Sequence, residues 1–348
     1  MSTNEKGGQA ANPKMHREDM ENLITPDAIM ADAVKKSAQM NKLPEKVGLF
    51  RVRTANQCIN DAKMQPIPRQ LYEYLLLEDE ITILFADTGL GKSVFAVQIA
   101  NEISKTDKVL YIDLELSDKQ FEKRYSKEYK NHFVFNDNFI RPDFIRPFSV
   151  PAGFDYDTYF INSLKELVIS AGARIVIIDN MTKLVSSDTD NARTAKPLMD
   201  CLQELKFDYS LTLLLLEHNR KTDPSRPIIL NDLQGSKHKA NFADAVFTIG
   251  KSAKDKNLRY IKQLKVRSGE FYYDSENVQV CELIKEENFL RLKVLSFDTE
   301  QKHLKQQTDE EKAELINKVK ELSKTKTQRE IAKELHVSLG AVNKYIKK

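Results

Sequence analysis

At 348 residues and 40.0 kDa, the chain is long enough for one substantial core plus small appendages, and 41% apolar with 30% charged residues is ordinary for a soluble globular protein. No long apolar span or cleavable leader stands out, so membrane insertion and secretion are not expected and the cytoplasm is the expected location. Three widely spaced cysteines, Cys58, Cys201 and Cys281, fit neither a disulfide framework nor a structural zinc site.

Net charge is +3, but its distribution is uneven. Residues 301–348 hold eleven Lys and one Arg against seven acidic residues, so the tail carries +5 and the preceding 300 residues sum to −2. A basic tail suits an acidic partner or a solvated helical surface.

Residues 1–63 begin with a Gly, Ser, Thr and Asn-rich stretch that reads as a flexible arm. Thr25 and Pro26 can start a short helix running to Met40, with Ile29, Ala33 and Val34 as its apolar stripe and Pro44 beyond its end.

From residue 64 to 300 the pattern becomes α/β. Strands are expected at Ile81–Phe85, Val109–Leu114, Ile175–Ile178, Leu211–Leu216 and Val246–Ile249; most are continuous apolar runs, as in parallel strands covered on both faces. Val94–Ile103, Asp157–Ser170 and Ala195–Phe207 supply helices between them, which gives a mostly parallel central sheet in a layered core. The Pro-containing stretch 136–157 reads as a surface loop. Lys262–Val266, Glu270–Tyr273 and Val278–Leu283 read as an antiparallel extension turning at Asp274–Asn277.

Residues 301–348 hold three short amphipathic helices, a small domain of their own. Leu315, Ile316, Val319 and Leu322 mark the first; Ile331, Ala332 and Leu335 the second; Val342, Tyr345 and Ile346 the third, with Ser338 as its cap.

The candidate chemistry sits at strand ends. Ala86-Asp87-Thr88-Gly89-Leu90-Gly91-Lys92-Ser93 has Walker A spacing, with Ala86 in place of the usual first Gly. Backbone amides and the following helix's positive end can cradle the β and γ phosphates of ATP, Lys92 adds a point charge, and Ser93 can ligate Mg2+. Asp179 closes the strand Ile175–Ile178, where a parallel sheet presents groups to a ligand, and can hold magnesium's hydration shell with help from Asn180. Glu115 follows the second strand and can orient an attacking water; Asp113, two residues earlier on the same face, is its rival.

This constellation resembles the RecA-like ATPases, particularly the hexameric replicative helicases of the DnaB and plasmid RepA kind. The resemblance spans roughly residues 64–270. Asp113-Leu114-Glu115-Leu116-Ser117 matches the segment that carries the family's catalytic glutamate, which selects Glu115. Leu214–Lys221 matches the strand whose end senses the γ phosphate, with Glu217 or His218 in that role. Residues 227–245 match the central-channel loop, which implies that Lys237, His238 and Lys239 meet phosphates of single-stranded DNA. Lys265-Val266-Arg267-Ser268-Gly269 matches an element that reaches the γ phosphate of a neighbouring subunit, with Ser268 replacing an Asn. The resemblance therefore implies a homo-oligomer, six subunits in the family, and no membrane partner. No helicase N-terminal collar fits into the first sixty residues, so ATP hydrolysis is implied more firmly than unwinding.

Thr327–Tyr345 resembles a bacterial helix-turn-helix. Ile331, Leu335, Val337, Val342 and Ile346 would lock its helices, leaving Ser338, Leu339, Asn343, Lys344 and Lys347 to face duplex DNA. The implied function is ATP hydrolysis coupled to DNA binding or translocation in plasmid or mobile-element replication, with a DNA-tethered regulatory or recombination-associated ATPase as the alternative.

Overall fold

The computed structural model describes residues 27, 30–31, 45–145, 149–181, 192–219, 222–234, 237–306, 309–335 and 337–347, the side chains of 192–195, 237–238 and 309–311 excepted. The helix expected over Thr25–Met40 lies almost wholly outside these residues. Two compact units are present, one ending at Ile67 and the other beginning at Pro68.

The first unit pairs Lys46–Val47 with Phe50–Arg51 around a turn where Gly48 has φ +56°. It continues into helix α1 (Ala55–Lys63), started by a reciprocal cap: the Gln57 amide N–H donates to the Thr54 hydroxyl and the Thr54 amide N–H to the Gln57 side chain.

The second unit is built on a nine-stranded sheet of β1 (Ile81–Ala86), β2 (Val109–Asp113), β3 (Phe139–Ile140), β4 (Ile175–Asp179), β5 (Thr212–His218), β6 (Ala245–Lys251), β7 (Leu258–Val266), β8 (Val278–Glu286) and β9 (Phe289–Asp298). Their order is β9-β8-β7-β6-β1-β5-β4-β2-β3. The six strands from β6 to β3 run parallel, and β7, β8 and β9 extend the sheet antiparallel. Helices α2 (Lys92–Ile103), α3 (Asp118–Arg124), α4 (Tyr156–Ala171), α5 (Ala192–Tyr209) and α6 (Lys237–Phe242) connect the strands, and α7 (Asp309–Leu322), α8 (Gln328–Glu334) and α9 (Leu339–Ile346) follow the sheet. No helix among the described residues is long and apolar enough to cross a membrane.

Continuous apolar strands imply a core on both faces, and the sheet has one. Ile81, Ile83, Phe85, Val176, Ile178, Leu213 and Leu215 pack under Phe160, Leu164, Leu202 and Leu205 of α4 and α5. The alternate residues Leu84, Ala86, Ile175, Ile177, Leu214 and Leu216 pack against Phe95, Ile99 and Ile103 of α2. This is the α/β core expected from sequence, and all five expected strands and three expected helices are present within a few residues of their predicted ends.

The antiparallel flank differs from expectation. Glu270–Tyr273 is not a strand: the Gln263 side-chain oxygen takes the amide N–H groups of Tyr272 and Tyr273 at 2.8 and 2.9 Å, so a side chain replaces a ladder. The third antiparallel strand is Phe289–Asp298 instead, turned from β8 at Glu287, whose φ is +52°. Only Leu292 is fully buried along β9, although Leu290, Leu292 and Val294 alternate with Arg291 and Lys293 as a strand with one solvated face does. The 136–157 stretch also contributes more than a loop, since Phe139–Ile140 pairs with β2.

The tail folds as a three-helix bundle, α7 to α9, around Val319, Ile331 and Val342, with Leu322, Leu335, Val337 and Ile346 packed against them. Thr327 and Glu330 cap α8 reciprocally, and the Ser338 hydroxyl accepts the Ala341 N–H to start α9. Because one buried residue per helix forms this centre, Ile331→Ala should cost about 2–5 kcal/mol locally. Amide exchange should then accelerate across 309–347 while β1, β4 and β5 keep their protection; unchanged exchange in the tail would contradict this packing.

Candidate nucleotide site

The turn from β1 into α2 carries the phosphate-loop motif. Gly89 and Gly91 have φ of +78° and +95°, conformations a side chain disfavours, and Gly91 is the N-cap of α2. With no side chain capping α2, its first amides are left for an anion. Asp87 folds back, its carboxylate accepting the Thr88 N–H at 2.8 Å. Ala86 is the buried end of β1, so the usual first Gly is replaced at a position in ordinary extended backbone.

Around this loop lie the ends of β2, β4 and β5. Lys92 is buried, and desolvation pushes its pKa down against the upward pull of Asp179, Glu115 and Glu217. Its Nζ lies 3.3 Å from His218 Nδ1, and His218 Nε2 lies 3.0 Å from Asn180 Nδ2. Asn180 also donates to Glu115 Oε1, which is 3.9 Å from His218 Nε2. Lys92, His218, Asn180 and Glu115 thus form one connected group from three strand ends and the loop.

Asp179 has no exposed surface, and burial raises its carboxyl pKa against hydrogen bonds from Ser93 and Tyr111. Tyr111 donates to Oδ2 at 2.8 Å, whereas Oδ1 is buried with no hydrogen-bond partner. An orphaned carboxylate oxygen in the same side-chain cluster as a serine hydroxyl is a donor set that fits a hard divalent cation such as magnesium.

Asp113 and Glu115 have different surroundings. Asp113 Oδ1 accepts the amide N–H groups of Glu115 and Leu116 at 3.1 and 2.9 Å, and Oδ2 is held by Arg141 at 3.1 and 3.2 Å. Asp113 is therefore committed to the turn, and Glu115 is the carboxylate joined to Asn180 and His218. Sequence reasoning did not single out Arg141, since nothing around it resembles a motif.

His218 and Glu217 separate in the same way. His218 meets Lys92, but Glu217 is buried on the other face of β5, where Oε1 accepts from Lys239 Nζ at 2.6 Å. This corrects the expectation for Lys239, which was to meet DNA phosphates: with 2% of its surface exposed and its ammonium bound to Glu217, it has no free face for one. The side chains of Lys237 and His238 lie outside the described residues, and the segment around them is helix α6 rather than an open loop.

Lys265 and Arg267 lie near the opposite strand ends from the loop. Lys265 Nζ donates to the Ala240 and Ala243 carbonyls at 2.8 and 2.6 Å, and Arg267 to Asp244 Oδ1 at 2.7 Å. Asp244 in turn accepts the Ile81 N–H at the start of β1, so the pair is not brought to this chain's own phosphate loop. In the tail, Ser338 is occupied as a cap, Asn343 is half-buried, and Leu339, Lys344 and Lys347 are exposed.

A family model described as the AAA domain matches residues 51–224, half of the chain. The chain belongs to the AAA-domain family. Its match spans the phosphate loop, Glu115, Asp179 and His218 and ends before Lys239, Lys265 and Arg267, and the AAA assignment makes the chain a P-loop ATPase with an ATP-binding site. Among solved structures, the chain is similar to one whose title describes an ATPase domain, at 16% identity and a TM-score of 0.46, covering 77% of this chain and 98% of that one. No curated protein matches it.

The buried Lys239–Glu217 pair of this AAA protein carries a stability prediction. Lys239→Met leaves Glu217 buried and unpaired and should destabilise the fold by about 3–5 kcal/mol, whereas Lys239→Met with Glu217→Leu should recover most of that loss. Chemical denaturation of the two variants measures the difference; equal stability would show that the pair carries no burial penalty.

Proposed function

We propose that this chain hydrolyses magnesium-bound ATP and couples the reaction to DNA, as an oligomer whose sites are completed by a neighbouring copy. The observation that carries the chemistry is the group Lys92, His218, Asn180 and Glu115 beside the Ser93–Asp179 pair. Ser93 and Asp179 would hold magnesium, which neutralises charge on the terminal phosphates. The loop amides and Lys92 grip those phosphates, and Glu115 aligns a water and takes its proton. His218 and Asn180 keep Glu115 in place and register whether a γ phosphate is present.

The helicase resemblance supplies the reading for Lys265 and Arg267, which reach a neighbour's γ phosphate from the far end of the sheet. Arg267, with about half of its side chain exposed, can exchange Asp244 for a partner's phosphate. The same resemblance puts the segment around Lys237 and His238 near single-stranded DNA, in plasmid or mobile-element replication. A second reading, a DNA-tethered regulatory ATPase without unwinding activity, is favoured by the capped tail bundle with Lys344 and Lys347 exposed on or just after α9.

Lys92→Ala should abolish magnesium-dependent turnover, and Glu115→Gln should keep nucleotide affinity while lowering kcat by about 100-fold or more. Normal turnover in Lys92→Ala would remove the assigned site. Arg267→Ala alone should bind nucleotide but hydrolyse poorly. Mixing it with Glu115→Gln chains should restore part of the turnover, since each supplies what the other lacks; no recovery would count against a shared site. Strand displacement by the full chain on forked DNA, against sequence-preferring duplex binding without displacement, separates the two DNA readings.

A further inference from the structure

Arg141 lies just past β3, in the stretch that reads as a loop, and only 14% of its side chain is exposed. Its Nε and Nη2 donate to Asp113 Oδ2, Nη2 also to the Leu116 carbonyl at 2.8 Å, and Nη1 to Asp118 Oδ1 at 2.8 Å and Asp143 Oδ1 at 3.3 Å. The guanidinium lies over the Phe121 ring, 4.8 Å from its centroid. The oxygen of Asp113 that Arg141 leaves free accepts the backbone N–H groups of Glu115 and Leu116. One guanidinium therefore ties down the residues on both sides of Glu115, from Asp113 to Asp118.

We propose that Arg141 is a positioning residue for ATP hydrolysis: it clamps the turn Asp113–Asp118 so that the Glu115 carboxylate is held at the phosphate loop. The inference rests on the reading of Glu115 as the base. Asp113 has a fully buried side chain and serves as the relay, its charge balanced by Arg141 on one oxygen while the other orders the turn. A planar fork of N–H donors can hold Asp113, Leu116 and Asp118 at once, whereas a lysine ammonium can replace the charge but not the geometry. Misplacing a base by about 1 Å lowers the rate by about 100-fold while leaving the phosphate grip intact.

The test uses the full chain. Arg141→Met should lower kcat by about 10- to 100-fold with nucleotide affinity unchanged, and Arg141→Lys should recover part of the loss. In a Glu115→Gln background, Arg141→Met should bring no further loss of residual turnover, because the group it positions is already gone. Amide exchange over 114–117 should accelerate in Arg141→Met, with β4 and β5 unaffected. Wild-type kcat in Arg141→Met, or the same fold loss in both backgrounds, would overturn the clamp while leaving the ATPase reading standing. Absence of turnover in the wild-type chain would overturn the ATPase reading and the catalytic role of the clamp with it.

Discussion

Two-residue alternation in strands buried on both faces decides which side chains can meet at the phosphate loop. Leu214 and Leu216 face α2, so His218 does too, and Glu217 is turned to the other side. Ile175 and Ile177 share that face with Asp179, and Tyr111, which donates to Asp179, shares it with Asp113. The chemistry therefore falls on one face at one end of the sheet because the apolar core beneath sets the parity of each strand. A one-residue slip in β5 would bring a carboxylate to Lys92 in place of the imidazole.

Much of this was legible beforehand. Runs such as Ile81–Phe85 and Ile175–Ile178 announce central strands, and the spacing from Ala86 to Ser93 announces the loop. Residue type alone could not separate Glu115 from Asp113, because the distinction lies in Arg141, which approaches from 28 positions further along the chain. Lys239 was misread because Lys-His-Lys looks like a basic turn. On a helix, however, residue 239 shares a face with Ala243 and points into the core, where Glu217 supplies the counter-charge. β9 carries its own signal, since Leu290, Leu292 and Val294 alternate with Arg291 and Lys293, the period of a strand with one face toward solvent.

The ionic groups divide into two kinds. Lys239–Glu217 and Lys262–Glu300 are ion pairs, each 2.6 Å apart and nearly without exposed surface, although Glu217 Oε2, like Asp179 Oδ1, is buried with no hydrogen-bond partner. Asp179, whose hydrogen-bond donors are the hydroxyls of Tyr111 and Ser93, and Lys92, buried beside an imidazole rather than bonded to a carboxylate, have no such paired opposite charge among the described residues. Desolvation acts on both, and it raises the pKa of Asp179 and lowers that of Lys92, directions that favour loss of charge. Ion pairs hold strands and helices together, whereas buried charges with no opposite charge bonded to them are suited to a charged ligand.

The antiparallel flank joins the loop's helix to the tail. Gln98 of α2 both donates to and accepts from the backbone of Leu292 in β9, and that strand runs on to Glu300, whose carboxylate holds the Ile228 amide and the Lys262 ammonium. Two residues past the following 3-10 turn, the Lys305 N–H still bonds to the Pro224 carbonyl. The root of the C-terminal bundle is thus part of the sheet's own framework. Anyone wishing to exchange that bundle for another domain would have to place the junction after Lys305, since a cut at the end of the last strand would strip the core of Glu300.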